Sequence, residues 1–94
     1  MAFRFQWDPA KAEENRRKHG ITFEEAASAF ADFLSITIPD PEHSVEESRF
    51  LLVGLTDQHR LVVVAHTERG DDIRLISARL ATKRERLRYE EEQP

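Results

Sequence analysis

The chain has no cysteine, and only three glycines and four prolines among its 94 residues. Without cysteine, neither a disulfide nor a thiolate metal site can brace the fold. Core packing must therefore hold together a small domain with little stability to spare. The same absence fits a reducing, cytoplasmic setting. The glycines stand apart, which excludes a glycine-rich phosphate loop. Long hydrophobic runs are missing as well. Met1 to Trp7 lacks the apolar core of a signal peptide. The longest apolar stretch, Leu61 to Ala65, is far too short to cross a bilayer, so a soluble protein without membrane contact is expected. His19, His43, His59 and His66 are scattered, with no HExxH spacing, and no serine sits in a nucleophile elbow. Neither a metal site nor a cofactor is expected.

What is present in quantity is charge. Charged residues make up 34% of the chain, with a net charge of −4. The distribution is uneven. From Arg60 to Arg88 there are eight Lys and Arg against four Asp and Glu, a net of +4, and the remainder carries −8. A local basic face can attract phosphate while the rest stays acidic; a solvated helix face is the alternative.

Phe3 to Trp7 alternates apolar and polar residues, the period of a half-buried strand. Asp8-Pro9 reads as a cap and first residue of a polar helix through Lys11 to His19, with Gly20 in the left-handed position that ends it. Thr22-Phe23-Glu24-Glu25 has the spacing of a capping box. The helix it opens, to about Asp32, carries Phe23, Ala26, Ala27 and Phe30 on one face. Phe33 to Ile38 reads as a strand that Pro39 stops, and Pro39 to Glu47 as a polar loop. Arg49–Thr56, Arg60–Thr67 and Ile73–Ala78 read as strands joined by Asp57-Gln58-His59 and by Glu68 to Asp72, connections short enough for antiparallel neighbours. Leu61 to Ala65 is apolar on both faces, as in a covered central strand. Thr82-Lys83-Arg84-Glu85 is a second capping box, opening a helix with Leu87 and Tyr89, and residues 90–94 form a frayed acidic tail. The expected fold is α+β: one domain over residues 1–94, a mostly antiparallel sheet with packed helices, in the order β-α-α-β-β-β-β-α.

The residues left to carry chemistry are mostly cationic. Arginine binds phosphate oxygens in two places and stays charged at any cellular pH. RNA cleavage can proceed without a metal: the 2′-hydroxyl attacks, a base takes its proton, cations stabilise the pentacovalent phosphate and an acid protonates the leaving 5′-oxygen. Each candidate also has a structural reading. Lys18 and His19 suit the negative end of a helix. Glu68 and Arg69 suit a solvated hairpin, and Arg74 a protective edge charge. Arg79 could pair with Glu85 or the tail. Arg84, Arg86 and Arg88 suit a solvated face, and Trp7 a core or interface position.

An ordered set of motifs resembles the BrnT family. It begins with Phe5-Gln6-Trp7-Asp8-Pro9-Ala10-Lys11-Ala12, Asn15, and Lys18 to Ala26. Asp40, His43-Ser44, Glu47 and Arg49 follow, then Thr67-Glu68-Arg69-Gly70-Asp71, Ile73 to Arg79, Ala81-Thr82, Glu85-Arg86 and Tyr89-Glu90. Each motif alone is weak; their order over nearly the whole chain is specific. The resemblance implies a RelE-like microbial ribonuclease fold and a cytoplasmic endoribonuclease toxin that arrests translation. It also implies a BrnA-like antitoxin that neutralises it, binds promoter DNA with it, and brings a toxin–toxin contact within a heterotetramer. By analogy the catalytic candidates are Lys18, Glu68, Arg69 and Arg79, with Arg69 and Arg79 flanking the phosphate and Lys18 or Glu68 as base. Trp7, His19, Arg74 and Arg84 are the candidates for holding RNA. His43 and His59, in predicted loops, are expected to be dispensable. A non-catalytic antitoxin-binding co-repressor and a small interaction domain without nucleic acid are the competing readings.

Overall fold

The computed structural model describes residues 3–45 and 47–93. Met1 and Ala2, Glu46 of the predicted loop and Pro94 of the predicted tail lie outside the described residues. The elements run β1 (Arg4–Gln6), α1 (Pro9–His19), α2 (Phe23–Ser28), β2 (Ile36–Pro39), β3 (Arg49–Leu55), β4 (Leu61–Arg69), β5 (Asp72–Leu80) and α3 (Lys83–Glu91). Single 3-10 turns, Ala29–Ala31 and Pro41–His43, follow α2 and β2. The strands form one sheet in the order β1-β5-β4-β3-β2, with β1 parallel to β5 and every other pair antiparallel.

The central strand is the apolar run read from the sequence: Leu61 to Thr67 is buried residue by residue. On one face of the sheet, Leu52, Val62, Val64, Ile73, Leu75 and Ala78 pack with Ile21, Phe23, Ala26 and Ala29 from the helical side. On the other face Val53, Leu61 and Val63 meet Ala81 and Tyr89, so α3 covers one end only. A register shift opposite Ala65/His66 leaves Ile76 as an extra residue in β5, the signature of a β-bulge.

Helix α1 does more than its polar sequence suggests. Strand β1 pairs with β5 only as far as Arg74, so the rest of that edge needs partners. Asn15 supplies them. Its Nδ2 donates to Ala78 O at 2.9 Å and Ile21 O at 3.0 Å, and its Oδ1 accepts from Ala78 N at 2.9 Å. One buried amide thus stands in for a neighbouring strand. Gly20, at φ 70°, closes α1 in the left-handed conformation that glycine adopts at least cost.

Several sequence expectations are corrected. The Thr22 box is half-formed: Thr22 Oγ1 accepts from Glu25 N at 3.0 Å, but the Glu25 carboxylate turns inward. There it takes Thr56 Oγ1 at 2.8 Å and a bidentate pair from Arg60. Helix α2 ends at Ser28 and gives way to a 3-10 turn. Phe33 and Leu34 lie outside the strand, which begins at Ile36, because Asp32 Oδ1 accepts from Leu34 N at 2.9 Å and closes a local turn. Pro39 ends β2 from within, paired to Phe50. The loop expected at Glu68 to Asp72 shrinks to Gly70-Asp71, with Gly70 at φ 63°, a turn whose twist matches the flanking strands. Helix α3 runs on to Glu91, into the segment expected to fray.

Candidate functional site

The half of the sheet face that α3 leaves open holds a cavity of about 430 Å³. Its floor follows from strand register. Arg49 of β3 is directly opposite Thr67 of β4, which is directly opposite Arg74 of β5. These side chains therefore form one row across three strands. Two residues along β4, on the same face, Arg69 joins them. Lys11 of α1 forms one wall; His43, Val45 and Glu47 of the β2–β3 connection form the other. That connection is pinned at its base, where Arg49 N donates to Ser44 Oγ at 2.8 Å and Ser44 Oγ to Asp40 O at 2.7 Å.

The polar groups in this cavity are unequally satisfied. Thr67 is 5% exposed, and its Oγ1 has no hydrogen-bond partner among the described residues. A buried hydroxyl in that state costs free energy unless something arrives to bond it. Arg49 and Arg74 make no ion pair among the described residues. Arg69 does: Nε and Nη2 donate to the two Glu47 oxygens at 2.8 and 2.9 Å. The Arg69 hydrogen bonds hold the Glu47 carboxyl below its usual range, with Arg74 adding to the field. His43 Nδ1 lies 2.9 Å from Asp40 Oδ2.

A narrower groove of about 240 Å³ adjoins the cavity through shared Lys11 and Ile76. It is lined by Glu14, Lys18, His19 and Ser77. Lys18 Nζ is 2.8 Å from Glu14 Oε1.

Of the sequence candidates, Arg69 and Arg74 line the cavity, and Lys18 and His19 line the adjoining groove. The others lie elsewhere. Strand alternation turns Glu68 away from Thr67 and Arg69, into a separate depression with Phe3 and Arg4. Arg79 lies under α3, where Nη1 and Nη2 donate to the Glu85 oxygens at 2.7 and 2.9 Å. Glu85 also accepts from Thr82 N, completing the second capping box. These bonds, Arg79 first, pull its pKa to about 2. Arg84 is on the outer surface of α3 beside Leu87 and Arg88. Trp7 is half-buried, edge-on to Phe23 with ring centres 5.8 Å apart. His59 is in the β3–β4 turn at φ 61°. His43, expected to be remote, lines the cavity, because the 3-10 turn folds the loop back toward the sheet. Lys11, Glu47, Arg49 and Thr67 were not candidates either; the pairing of Arg49 with Thr67 and Thr67 with Arg74 is the signal that unites them.

Among the described residues no group of three or more His, Cys, Asp or Glu converges as metal ligands, and no helix is long and apolar enough to cross a membrane.

The fold has a counterpart among solved structures. The crystal structure of the Brucella abortus ribonuclease toxin BrnT is similar, with a TM-score of 0.68 and 25% identity, over 87% of this chain and 100% of that one. No curated protein sequence matches the chain. The family described as the ribonuclease toxin, BrnT, of type II toxin–antitoxin systems matches residues 7–85. On that match, covering most of its length, the chain belongs to the BrnT family of type II ribonuclease toxins.

Proposed function

We propose that the open cavity binds the RNA backbone and cleaves it by metal-independent attack of a 2′-hydroxyl on the adjacent phosphorus. The observation that carries this reading is the Arg49–Thr67–Arg74 row: two guanidinium groups that make no ion pair among the described residues flank a buried hydroxyl with no hydrogen-bond partner among them. A phosphodiester supplies what that row lacks, anionic oxygens that accept from all three. Arg69 and Lys11 add charge where the pentacovalent phosphate gains it. His43, oriented by Asp40, transfers a proton at the rim. His43 takes the proton of the 2′-hydroxyl as the 2′-oxygen bonds to phosphorus, the bond from phosphorus to the 5′-oxygen breaks, and that oxygen takes up a proton from water, giving a 2′,3′-cyclic phosphate. Lys18 and His19, in the adjoining groove, hold the neighbouring nucleotide. The test is incubation of purified protein with RNA in EDTA: cyclic-phosphate ends are expected, and strict dependence on magnesium would refute the scheme.

Membership of a type II family implies an antitoxin protein partner. We infer further that this partner is BrnA-like, reaches promoter DNA with the toxin, joins two toxins in a heterotetramer, and shields a cytoplasmic translation arrest. A second reading is an antitoxin-binding co-repressor that does not cleave. It is favoured by the self-neutralised pairs Arg69–Glu47 and Arg79–Glu85. Absence of cleavage in the same assay, with antitoxin binding intact, would select it.

A further inference from the structure

Glu47 is the one carboxylate lining the cavity among the described residues, against Lys11, Arg49, Arg69 and Arg74. It occupies the fork of Arg69 with the two parallel hydrogen bonds that a phosphate would make. Both partners are accessible, at 48% and 38%, and an exposed pair of this kind adds little to stability. It can therefore open without disturbing the fold. We propose that Glu47 is an internal stand-in for a substrate phosphate: it holds Arg69 in the free protein, and an incoming nucleic-acid phosphate exchanges with it.

The surroundings support exchange rather than a permanent brace. Arg69 Nε and Nη2 bond Glu47 alone among the described residues. Glu47 accepts no other hydrogen bond among them, whereas Glu85 also takes the Thr82 backbone. The neighbouring row already offers Thr67, Arg49 and Arg74 to one phosphate. A chain anchored there brings its next charge toward Arg69, two residues along β4 and beside the turn. A ligand with several linked phosphates displaces Glu47 readily, because its second contact is intramolecular. A lone anion must compete with a carboxylate that is always present. Glu47 thus sets a threshold that favours polynucleotide over free phosphate and single nucleotides. This role rests on the cavity being the nucleic-acid site.

The test uses a labelled four-nucleotide 2′-deoxy oligomer, which has no 2′-hydroxyl to react, and deoxynucleoside 3′-monophosphate as the single-phosphate probe. The full-length protein is titrated as wild type, Glu47→Gln, Arg69→Ala and the double variant, with thermal unfolding recorded for each. Glu47→Gln is expected to tighten the mononucleotide about fivefold, equivalent to about 1 kcal/mol, and the oligomer by less. In the Arg69→Ala background the gain should disappear. Exchange is overturned if Glu47→Gln tightens neither probe, if it tightens both equally, if the gain survives without Arg69, or if neither probe binds. RNA cleavage by Arg74→Ala separates the two ideas. Cleavage retained there removes the cavity as the cleavage site, while the deoxy probes still report on Glu47.

Discussion

One face of the sheet carries two bidentate arginine–glutamate pairs, Arg79–Glu85 and Arg69–Glu47, and they differ in what surrounds them. The first lies beneath α3. Its carboxylate also accepts the backbone N–H of Thr82, and its pKa falls to about 2. The second is at the rim of the open cavity, with no further partner for Glu47 among the described residues and greater exposure on both sides. The chemistry of the two contacts is the same. Burial and additional bonds make one a fastening of the fold and leave the other free to exchange. Arginine at a strand end is therefore not a functional signal by itself; what it already binds decides.

The comparison is broken most severely by removing the Arg49 and Arg74 cations of the open half. Arg74→Ala and Arg49→Ala are each expected to lower RNA cleavage about 100-fold or more, the usual scale for losing one preorganised group that stabilises developing charge. Their thermal midpoints should move little, since neither residue pairs with a carboxylate among the described residues. Gel assays of RNA cleavage beside calorimetry would check both. Cleavage at wild-type rate in two folded variants would remove the open half as the site.

Both halves share β5, and its edge depends on one amide. Asn15→Ala strands Ala78 N–H, Ala78 O and Ile21 O in a buried region. Each unsatisfied group costs about 1–3 kcal/mol, so for three groups a total loss of roughly 3 kcal/mol or more is expected. At about 4–8 °C per kcal/mol for a domain of this size, the unfolding midpoint should fall by more than about 12 °C. A drop under about 4 °C would mean that water or a shift of α1 replaces the amide.

The elements were legible wherever period and caps agree. The α+β order, the central position of Leu61 to Ala65, the caps at Asp8 and Thr82 and the stop at Gly20 are all visible in the residues. The misread places are those where a distant partner overrides a local rule. Glu25 leaves its capping box for Arg60 and Thr56, contacts more than thirty residues away. Asn15, polar in a polar helix, gives no sign that it is buried until β5 lies beside it. The site was half-legible. Arg69 and Arg74 stood out as cations in the basic segment, but Arg49 belongs to the acidic remainder of the chain and joins them through register alone. Thr67 reads as an ordinary strand residue until its hydroxyl is found buried with no partner among the described residues.

The two carboxylates can be told apart by acid. Glu85→Gln is expected to cost roughly 1–2 kcal/mol, discounted for the partial exposure of Arg79, whereas Glu47→Gln should leave stability nearly unchanged because both partners are solvent-exposed. The Glu85 pKa is depressed from 4.5 to about 2 in the folded protein. Its contribution is therefore complete above the ordinary glutamate range and is lost as pH falls through about 2. Wild type minus Glu85→Gln should show that loss between pH 5 and 2 in urea melts. A stability difference independent of pH across this window would show that the Glu85 pKa is not lowered on folding.

A further expected effect concerns the clasp that keeps the covered half covered. Tyr89 of α3 donates its hydroxyl to Asp32 Oδ2 at 2.6 Å, while Leu55 N and Leu34 N donate to the same carboxylate at 2.9 Å. Burial, then the hydrogen bond to Asp32 and its charge, raises the Tyr89 pKa to about 12. A pKa raised on folding gives stability that is complete below the ordinary tyrosine value near 10 and disappears as pH rises through about 12. Tyr89→Phe keeps the ring against Val53, Leu61 and Val63 and removes the hydroxyl alone. Asp32 retains two backbone donors, so the cost is set at about 1 kcal/mol. The variant should also lose the alkaline fall in stability between pH 10 and 12. Its affinity for the deoxy oligomer should match wild type, because the Arg49–Thr67–Arg74 row is anchored by strand pairing and not by α3. If oligomer binding weakens in step with stability, the two halves are coupled through α3, and the division between a fastened half and an exchangeable half fails.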